Sequence, residues 1–201
     1  MFKFKNRFLF MIFLTLFTTL AFANSPVTQL KNISDRMLAQ LEQNKSRLSN
    51  LSVIRHIVNT VLLPNIDLGR MSASVVGLPW RSASDAQKAQ FKKEFAYLVT
   101  TTYASALSSY DDDRVEFYPI RENLAGRQTA HVNSVIMRKN GQQIPISYDV
   151  VNNGGNWKVY DFSIEHVSMV QSYRAQFAST LANGGMQALL QRLRSHNQKT
   201  G

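Results

Sequence analysis

The chain has 201 residues, which is enough for one domain and excludes a multi-domain machine. It contains no cysteine, so disulfides, thiolate metal sites and cysteine catalysis are excluded together. With 23 lysines and arginines against 13 acidic residues, its formal net charge is +10. A positive net charge favours an anionic partner, and whether that partner is nucleic acid or a membrane surface depends on the cellular compartment of the protein.

The first 23 residues have the three parts of a secretory signal peptide. A basic segment, 1–7, precedes an apolar run from Phe8 to Leu20, and Ala21-Phe22-Ala23 has the small-x-small pattern that signal peptidase cleaves. We predict cleavage there, which leaves 24–201 as one domain and, by removing three cations, lowers the net charge from +10 to +7. No later apolar run is long enough to predict a membrane-spanning helix. Export argues against nucleic acid as the partner and favours anionic membrane surfaces or head groups.

Residues 27–110 are predicted to be mainly helical, because their apolar positions recur at three- and four-residue steps. A first amphipathic helix is followed by a second that ends before Pro64, and Asp67 is placed to cap a third, short one. The strongest start signal is Ser84 with Gln87, a capping box that opens a helix of about 25 residues.

Three consecutive aspartates, Asp111 to Asp113, end this helix. They invite a metal interpretation, but consecutive carboxylates do not converge on one ion without a supporting loop, so we predict a solvated turn. The four histidines share no metal-ligand spacing, and the sequence contains no nucleophile elbow, phosphate loop or metalloprotease motif. We therefore predict no catalytic residue, no metal site and no cofactor.

From about residue 115 the apolar period changes to two, which predicts strands. An edge strand at 115–117 and three longer strands, joined by turns at Asn140-Gly141 and at 152–155, form an antiparallel meander. Helical spacing returns after Val167 and is predicted to break at Asn183-Gly184-Gly185 before a last helix. The fold class is therefore α+β with a four-stranded antiparallel sheet and about six to seven helices. Strict alternation in the last strand predicts two faces: Trp157, Val159 and Asp161 on one, and Tyr160, Phe162 and Ile164 on the other.

Many amphipathic or adaptable side chains lie on faces that we expect to meet between the long helix and the sheet. Tyr103, Tyr148 and Trp157 are examples. Such residues line pockets with a polar mouth, but an ordinary packed core has apolar and aromatic residues at the same spacing. The residues alone leave both interpretations open.

Several motifs occur in order along the chain: Leu62-Leu63-Pro64-Asn65-Ile66-Asp67, Val76-Gly77-x-x-Trp80, Ser84-x-x-Gln87-x-x-x-Phe91-x-x-x-Phe95, Asn156-Trp157-Lys158-Val159-Tyr160-Asp161, Glu165-His166-Val167-Ser168 and Tyr173-Arg174-x-x-Phe177. Together they resemble the MlaC family of periplasmic phospholipid carriers, also called toluene-tolerance auxiliary proteins. The resemblance spans about 53–193. One departure is His166, which stands where the family usually has glycine. If that glycine has a positive φ, a histidine there must be strained or the turn must differ.

The resemblance implies a twisted sheet wrapped by helices, similar to nuclear-transport-factor barrels, around an apolar cavity. It implies a periplasmic carrier without enzymatic activity that moves a phospholipid between an outer-membrane lipoprotein complex and an inner-membrane ABC transporter, and so maintains outer-membrane lipid asymmetry. We expect a monomer. The residues that we predict to contact the lipid are Phe95, Leu98, Val99, Tyr103, Val132, Ile136, Ile146, Tyr148, Tyr160, Phe162, Ile164, Val167, Met169, Val170 and Tyr173.

Two other classes of protein use a similar pocket. An exported enzyme on a similar cone-shaped sheet would need convergent titratable groups, for which Asp161 and Tyr148 are the best candidates in the sequence. A peptide-binding chaperone would show a shallow groove rather than a deep cavity.

Overall fold

The computed structural model describes residues 25–200, and the predicted signal peptide, 1–23, lies outside this range. The described range contains six α-helices, a π-helical turn at Val58–Leu62, and 3-10 turns at Lys45–Arg47 and Leu63–Asn65. The helices are α1 Pro26–Gln43, α2 Leu51–Ile57, α3 Leu68–Val76, α4 Pro79–Ser82, α5 Asp85–Ser108 and α6 Met169–Thr200.

The predicted caps are present at the starts of α3 and α5. The Asp67 carboxylate accepts a hydrogen bond from the backbone N–H of Arg70 at 2.9 Å. At α5, the Ser84 hydroxyl accepts from the Gln87 N–H, and the Gln87 side chain accepts from the Ser84 N–H. These side chains satisfy backbone donors that the first turn of a helix leaves unpaired, and they fix where each helix begins.

Five antiparallel strands form one sheet in chain order. Four of them match the predicted strands, so the prediction of four strands is corrected to five. The additional strand, β5, has two residues and is too short for a period of two to reveal it. The strands are β1 Arg114–Phe117, β2 Thr129–Met137, β3 Gln143–Asn153, β4 Asn156–Ile164 and β5 Val167–Ser168.

A β-bulge in β4 changes which side chains face inward. Asp149 of β3 pairs with Asp161, whereas its neighbour Val150 pairs with Val159, so one extra residue, Tyr160, lies in β4 at this point. The bulge shifts the alternation, and Val159 and Phe162 both reach the same interior cavity. The prediction that Val159 shares a face with Asp161 was therefore wrong.

The segment from 169 onward forms two helical stretches that meet at a kink, as predicted, and α6 includes both of them. Gly185 has φ 60° and ψ −158° inside α6, where only glycine adopts such a conformation readily. The predicted break at 183–185 is therefore confirmed, and a second helical stretch follows it to the end of α6.

A two-residue turn joins β4 to β5. Ile164 pairs with Val167, and the residues between them, Glu165 and His166, have φ angles of 49° and 68°. Positive φ at both central positions is what a type I′ turn requires, and glycine or asparagine usually fills them. His166 thus adopts the left-handed conformation that its position in the resemblance suggested, at a steric cost of roughly 1 kcal/mol.

His166→Gly is expected to raise the free energy of unfolding by about 0.5–1 kcal/mol, because glycine relieves that steric cost and loses part of the gain to its own unfolded-state entropy. Chemical denaturation with matched m-values measures the change. His166→Ala is the control, since alanine keeps a Cβ at positive φ and should give no gain. Equal stabilisation by both variants would contradict the strain explanation.

Two buried clusters flank the sheet and the helices. One lies among α3, α5 and α6 and contains a set of aromatic rings: Phe91, Phe95, Tyr173 and Phe177. The other lies between the sheet and the N-terminal helices α1 and α2. Gln29 links α1 to β4, because its side-chain amide donates to the Trp157 carbonyl at 2.8 Å and accepts from the Trp157 N–H at 2.9 Å.

None of the helices within 25–200 has the length and apolar character needed to cross a bilayer.

Candidate functional site

An apolar cavity of about 370 Å³ lies between the sheet, α1 and α5. Its floor is one face of the sheet from β1 to β4, and its helical walls come from α1, the π-helical turn, α3 and α5. From Phe95 to Leu107, α5 runs along it for about 18 Å at 1.5 Å per residue. One leaflet of a bilayer provides roughly 15 Å of hydrocarbon, so the wall is long enough for an acyl chain.

The structure brings eight of the predicted lipid-contacting residues to this cavity. Three come from consecutive turns of α5 and five from the sheet. The five sheet residues reach the cavity because side chains alternate between the two faces of a strand. The bulge keeps the inward-facing positions at the end of β4 opposite those of β3. They are Phe95, Val99, Tyr103, Ile136, Ile146, Tyr148, Phe162 and Ile164.

Four predicted residues lie in the helical core and not on the cavity wall: Leu98, Met169, Val170 and Tyr173. The start of α6 packs on α3 and α5, so its apolar side chains face those helices. Leu98 points about 100° around α5 from Val99 and packs in the same core. Helical periodicity shows that such positions are buried but does not show which of two neighbouring interiors receives them.

Three more predicted residues also lie away from the wall. Val132 is fully buried in the cluster beneath α1. Tyr160 is the bulge residue, and its ring stacks under the Arg70 guanidinium, with 5.2 Å between Cζ and the ring centroid. Val167 lies in β5 just beyond the cavity residue Ile164, and 62 % of its surface is exposed.

Sequence reasoning missed the contribution of the N-terminal half to the wall. Leu30, Ile33, Met37 and Leu41 of α1 all line the cavity. Their spacing marked a buried helix face, but nothing in that pattern separates a face packed on protein from one packed on a ligand. The remaining lining residues that were not predicted include Val58, Leu62, Leu63, Ile66, Leu107, Tyr110, Val115, Phe117, Ile144 and Val159.

The polar groups in the wall are largely satisfied by the protein. Thr100 donates to the Ala96 carbonyl at 2.8 Å, and the Asn65 amide donates to the Val61 carbonyl at 2.8 Å. The Ser134 hydroxyl lies 3.4 Å from the Tyr148 phenol. Burial raises the pKa of Tyr148 and of Tyr103 above the ordinary phenol value, so both side chains stay neutral at physiological pH.

Charged side chains stand at one side of the cavity. Asp111 lies 3.0 Å from the Lys45 ammonium and 3.4 Å from that of Lys139, and these attractions lower the pKa of its carboxyl group. Asp113, two residues further on, lies on the wall itself, as does Arg138. The aspartate turn is thus an ion-pair network, and no group of three or more histidines or carboxylates within 25–200 is arranged to hold a metal ion.

Comparison with known proteins places this architecture in one family. The family model described as MlaC protein matches residues 31–195. The intermembrane phospholipid transport system binding protein MlaC of Haemophilus influenzae (strain Rd) is 26% identical over 173 residues, which cover 84% of this chain and 80% of that protein. The toluene tolerance protein ttg2D of Pseudomonas putida is 26% identical over 165 residues, which cover 81% of this chain and 76% of that protein.

A solved structure extends the similarity to the fold. The phospholipid-binding protein from Ralstonia solanacearum, determined in complex with a phospholipid, superposes with a TM-score of 0.80 at 28% identity. The match covers 86% of this chain and 96% of that one. The motifs, the shared fold and a family match over most of the chain lead to one conclusion: the chain belongs to the MlaC family.

Proposed function

We propose that this protein carries a phospholipid, with the acyl chains in the apolar cavity and the head group toward solvent. The observation that carries the proposal is the wall itself, which lines about 370 Å³ almost entirely with apolar side chains. The phospholipid complex of the Ralstonia solanacearum protein, which has the same fold, supports it. The eight predicted residues on the wall are the proposed contacts for the tails.

The hydrophobic effect explains why such a carrier is needed. Exposing an acyl chain to water costs about 0.8 kcal/mol per methylene, so a 16-carbon tail requires on the order of 13 kcal/mol of shelter. Unassisted diffusion of a phospholipid through water is therefore negligible. A carrier must match the apolar environment of the bilayer without greatly exceeding it, since tighter binding would stop delivery.

We place the carrier in the periplasm, as one domain that follows a cleaved signal peptide. There it would shuttle phospholipid between an outer-membrane lipoprotein complex and an inner-membrane ABC transporter, acting as a monomer and preserving outer-membrane lipid asymmetry. The name of the Haemophilus influenzae relative, which includes intermembrane phospholipid transport, supports this role. The predicted net charge of +7 after cleavage favours contact with anionic surfaces, and this attraction should weaken with salt.

A catalytic role for the same cavity finds little support. Asp161, one of the sequence candidates, lies outside the cavity and accepts hydrogen bonds from the Ser168 hydroxyl and the Val170 N–H at the start of α6, which makes it a helix cap. The other candidate, Tyr148, is a neutral phenol on the wall. We therefore propose a carrier that needs no cofactor and treats the phospholipid as cargo.

Lipid extraction followed by mass spectrometry tests the proposal directly. The protein is purified without detergent, and we expect close to one phospholipid per chain in the extract. An exported protein of similar size without such a cavity, purified in parallel, controls for carry-over of membrane lipid. Absence of phospholipid from every detergent-free preparation would contradict the proposed function.

A further inference from the structure

Asp113 and Arg138 form the ionised pair on a wall that is otherwise apolar or neutral. Their side chains are only 11% and 23% exposed. The Arg138 Nε lies 3.7 Å from Asp113 Oδ2, which is within ion-pair range but longer than a hydrogen bond. The aspartate therefore attracts the guanidinium without satisfying its donors.

Most of the Arg138 donors have no acceptor among the described residues. Nη2 donates to the Ser109 hydroxyl at 2.9 Å, whereas Nε is buried without a hydrogen-bond partner and no residue within 25–200 accepts from Nη1. A guanidinium carries five N–H donors in a rigid fork that suits phosphate and carboxylate oxygens. A partly desolvated cation with free donors at a binding cavity is a site for an anionic ligand group.

The position of Arg138 fits the polar end of a lipid. It directly follows β2 and precedes the exposed Lys139, which pairs with the network around Asp111. The charged network keeps this side of the cavity near water, whereas Phe95, at the far end of the α5 wall, is fully buried in the aromatic core. A phospholipid with its tails toward Phe95 would therefore leave its phosphate on the side of Arg138.

We propose that Arg138 binds the phosphate of the carried phospholipid and so fixes which way the lipid enters the cavity. Ser109 accepts a hydrogen bond from Nη2 and positions the guanidinium, and Asp113 attracts it from the side of Nε. This inference rests on the proposed function and adds a ligand group to it. It predicts that the protein distinguishes a phospholipid from a neutral lipid that has the same acyl chains.

A competition between two lipids tests this. The purified protein is offered equimolar phosphatidylethanolamine and diacylglycerol with identical tails in mixed micelles, and native mass spectrometry counts each complex. We expect the wild type to favour the phospholipid, and Arg138→Met to reduce that preference roughly tenfold or more, because a charge-assisted hydrogen bond is lost while the apolar stem is kept. Arg121→Met, which removes an exposed arginine, is the control for net charge and should keep the wild-type preference.

The outcomes separate this inference from the proposed function. Equal loading of both lipids by the wild type, or an unchanged preference in Arg138→Met, would overturn the role of Arg138 and leave the carrier function standing. Failure of the wild type to load either lipid would overturn the proposed function and this inference with it. If circular dichroism shows that Arg138→Met does not fold, Arg138→Gln replaces it in the competition, because glutamine can still form hydrogen bonds but carries no charge. A reduced preference for the phospholipid in Arg138→Gln would support the inference, and an unchanged preference would refute it.

Discussion

Val99→Glu is expected to abolish phospholipid loading while leaving the fold largely intact. Val99 is half-buried in the middle of α5 and lines the cavity. A carboxylate there would lie against the acyl chains without a partner, and burying such a group costs several kcal/mol. Glutamate is a good helix former, so α5 itself should persist. Mass spectrometry of extracted lipid measures the loading, and circular dichroism measures the helix content.

Leu78→Glu is the matched control for this experiment. Leu78 is also an apolar residue, but 77% of its surface is exposed and it is not on the cavity wall. The same chemical change there should leave loading at the wild-type level. A normal phospholipid content in Val99→Glu would show that the cavity along α5 does not hold the tails.

Removal of the lipid is expected to lower the melting temperature substantially. At about 24 cal/mol per Å³, a fully enclosed, unfilled apolar cavity of 370 Å³ would cost about 9 kcal/mol, which is comparable with the whole stability of a typical domain, about 5–15 kcal/mol. Because this cavity opens to solvent, that figure is an upper limit. The lipid-free protein should therefore move its sheet toward α5 and recover part of this cost. If about half is recovered, the melting temperature should fall by roughly 10 °C.

Calorimetry before and after lipid removal measures this difference, and reloading with phosphatidylethanolamine should reverse it. Hydrogen exchange should quicken at the cavity-facing parts of β3 and α5 in the lipid-free protein, while the aromatic cluster around Phe91 stays protected. Identical melting temperatures in the two states would mean that the cavity is supported without its ligand, and the expectation of collapse would be wrong.

The fold was predictable where local chemistry decides it. The Ser84 and Gln87 capping box fixed the start of α5, and Asn140-Gly141 marked a hairpin because its turn favours residues that tolerate positive φ. The bulge at Tyr160 was not predictable, because an inserted residue leaves no signature when both neighbouring faces are apolar. The break at Gly185 was predictable, because a glycine pair ends one helix and helical apolar spacing returns after it.

The candidate site was predictable only in part, for a reason of geometry. Phe95 and Val99 reach the cavity, whereas Leu98, one position away, packs in the helical core. Both positions are apolar and belong to the broad buried side of α5, so periodicity treats them alike. Arg138 was not predicted as a site residue because it lies at the end of a strand, where a charged side chain usually faces solvent.

The double hydrogen bond between Gln29 and Trp157 has a consequence for the order of assembly. It joins positions 128 residues apart, and the helix that it anchors supplies Leu30 and Ile33 to the same surface as Ile164. Contacts so distant in sequence form late, since a long loop must close first. The apolar cavity can therefore be completed only after the chain has been synthesised through β4. Until then, the apolar side of α1 can pack only on the adjacent segment 51–62.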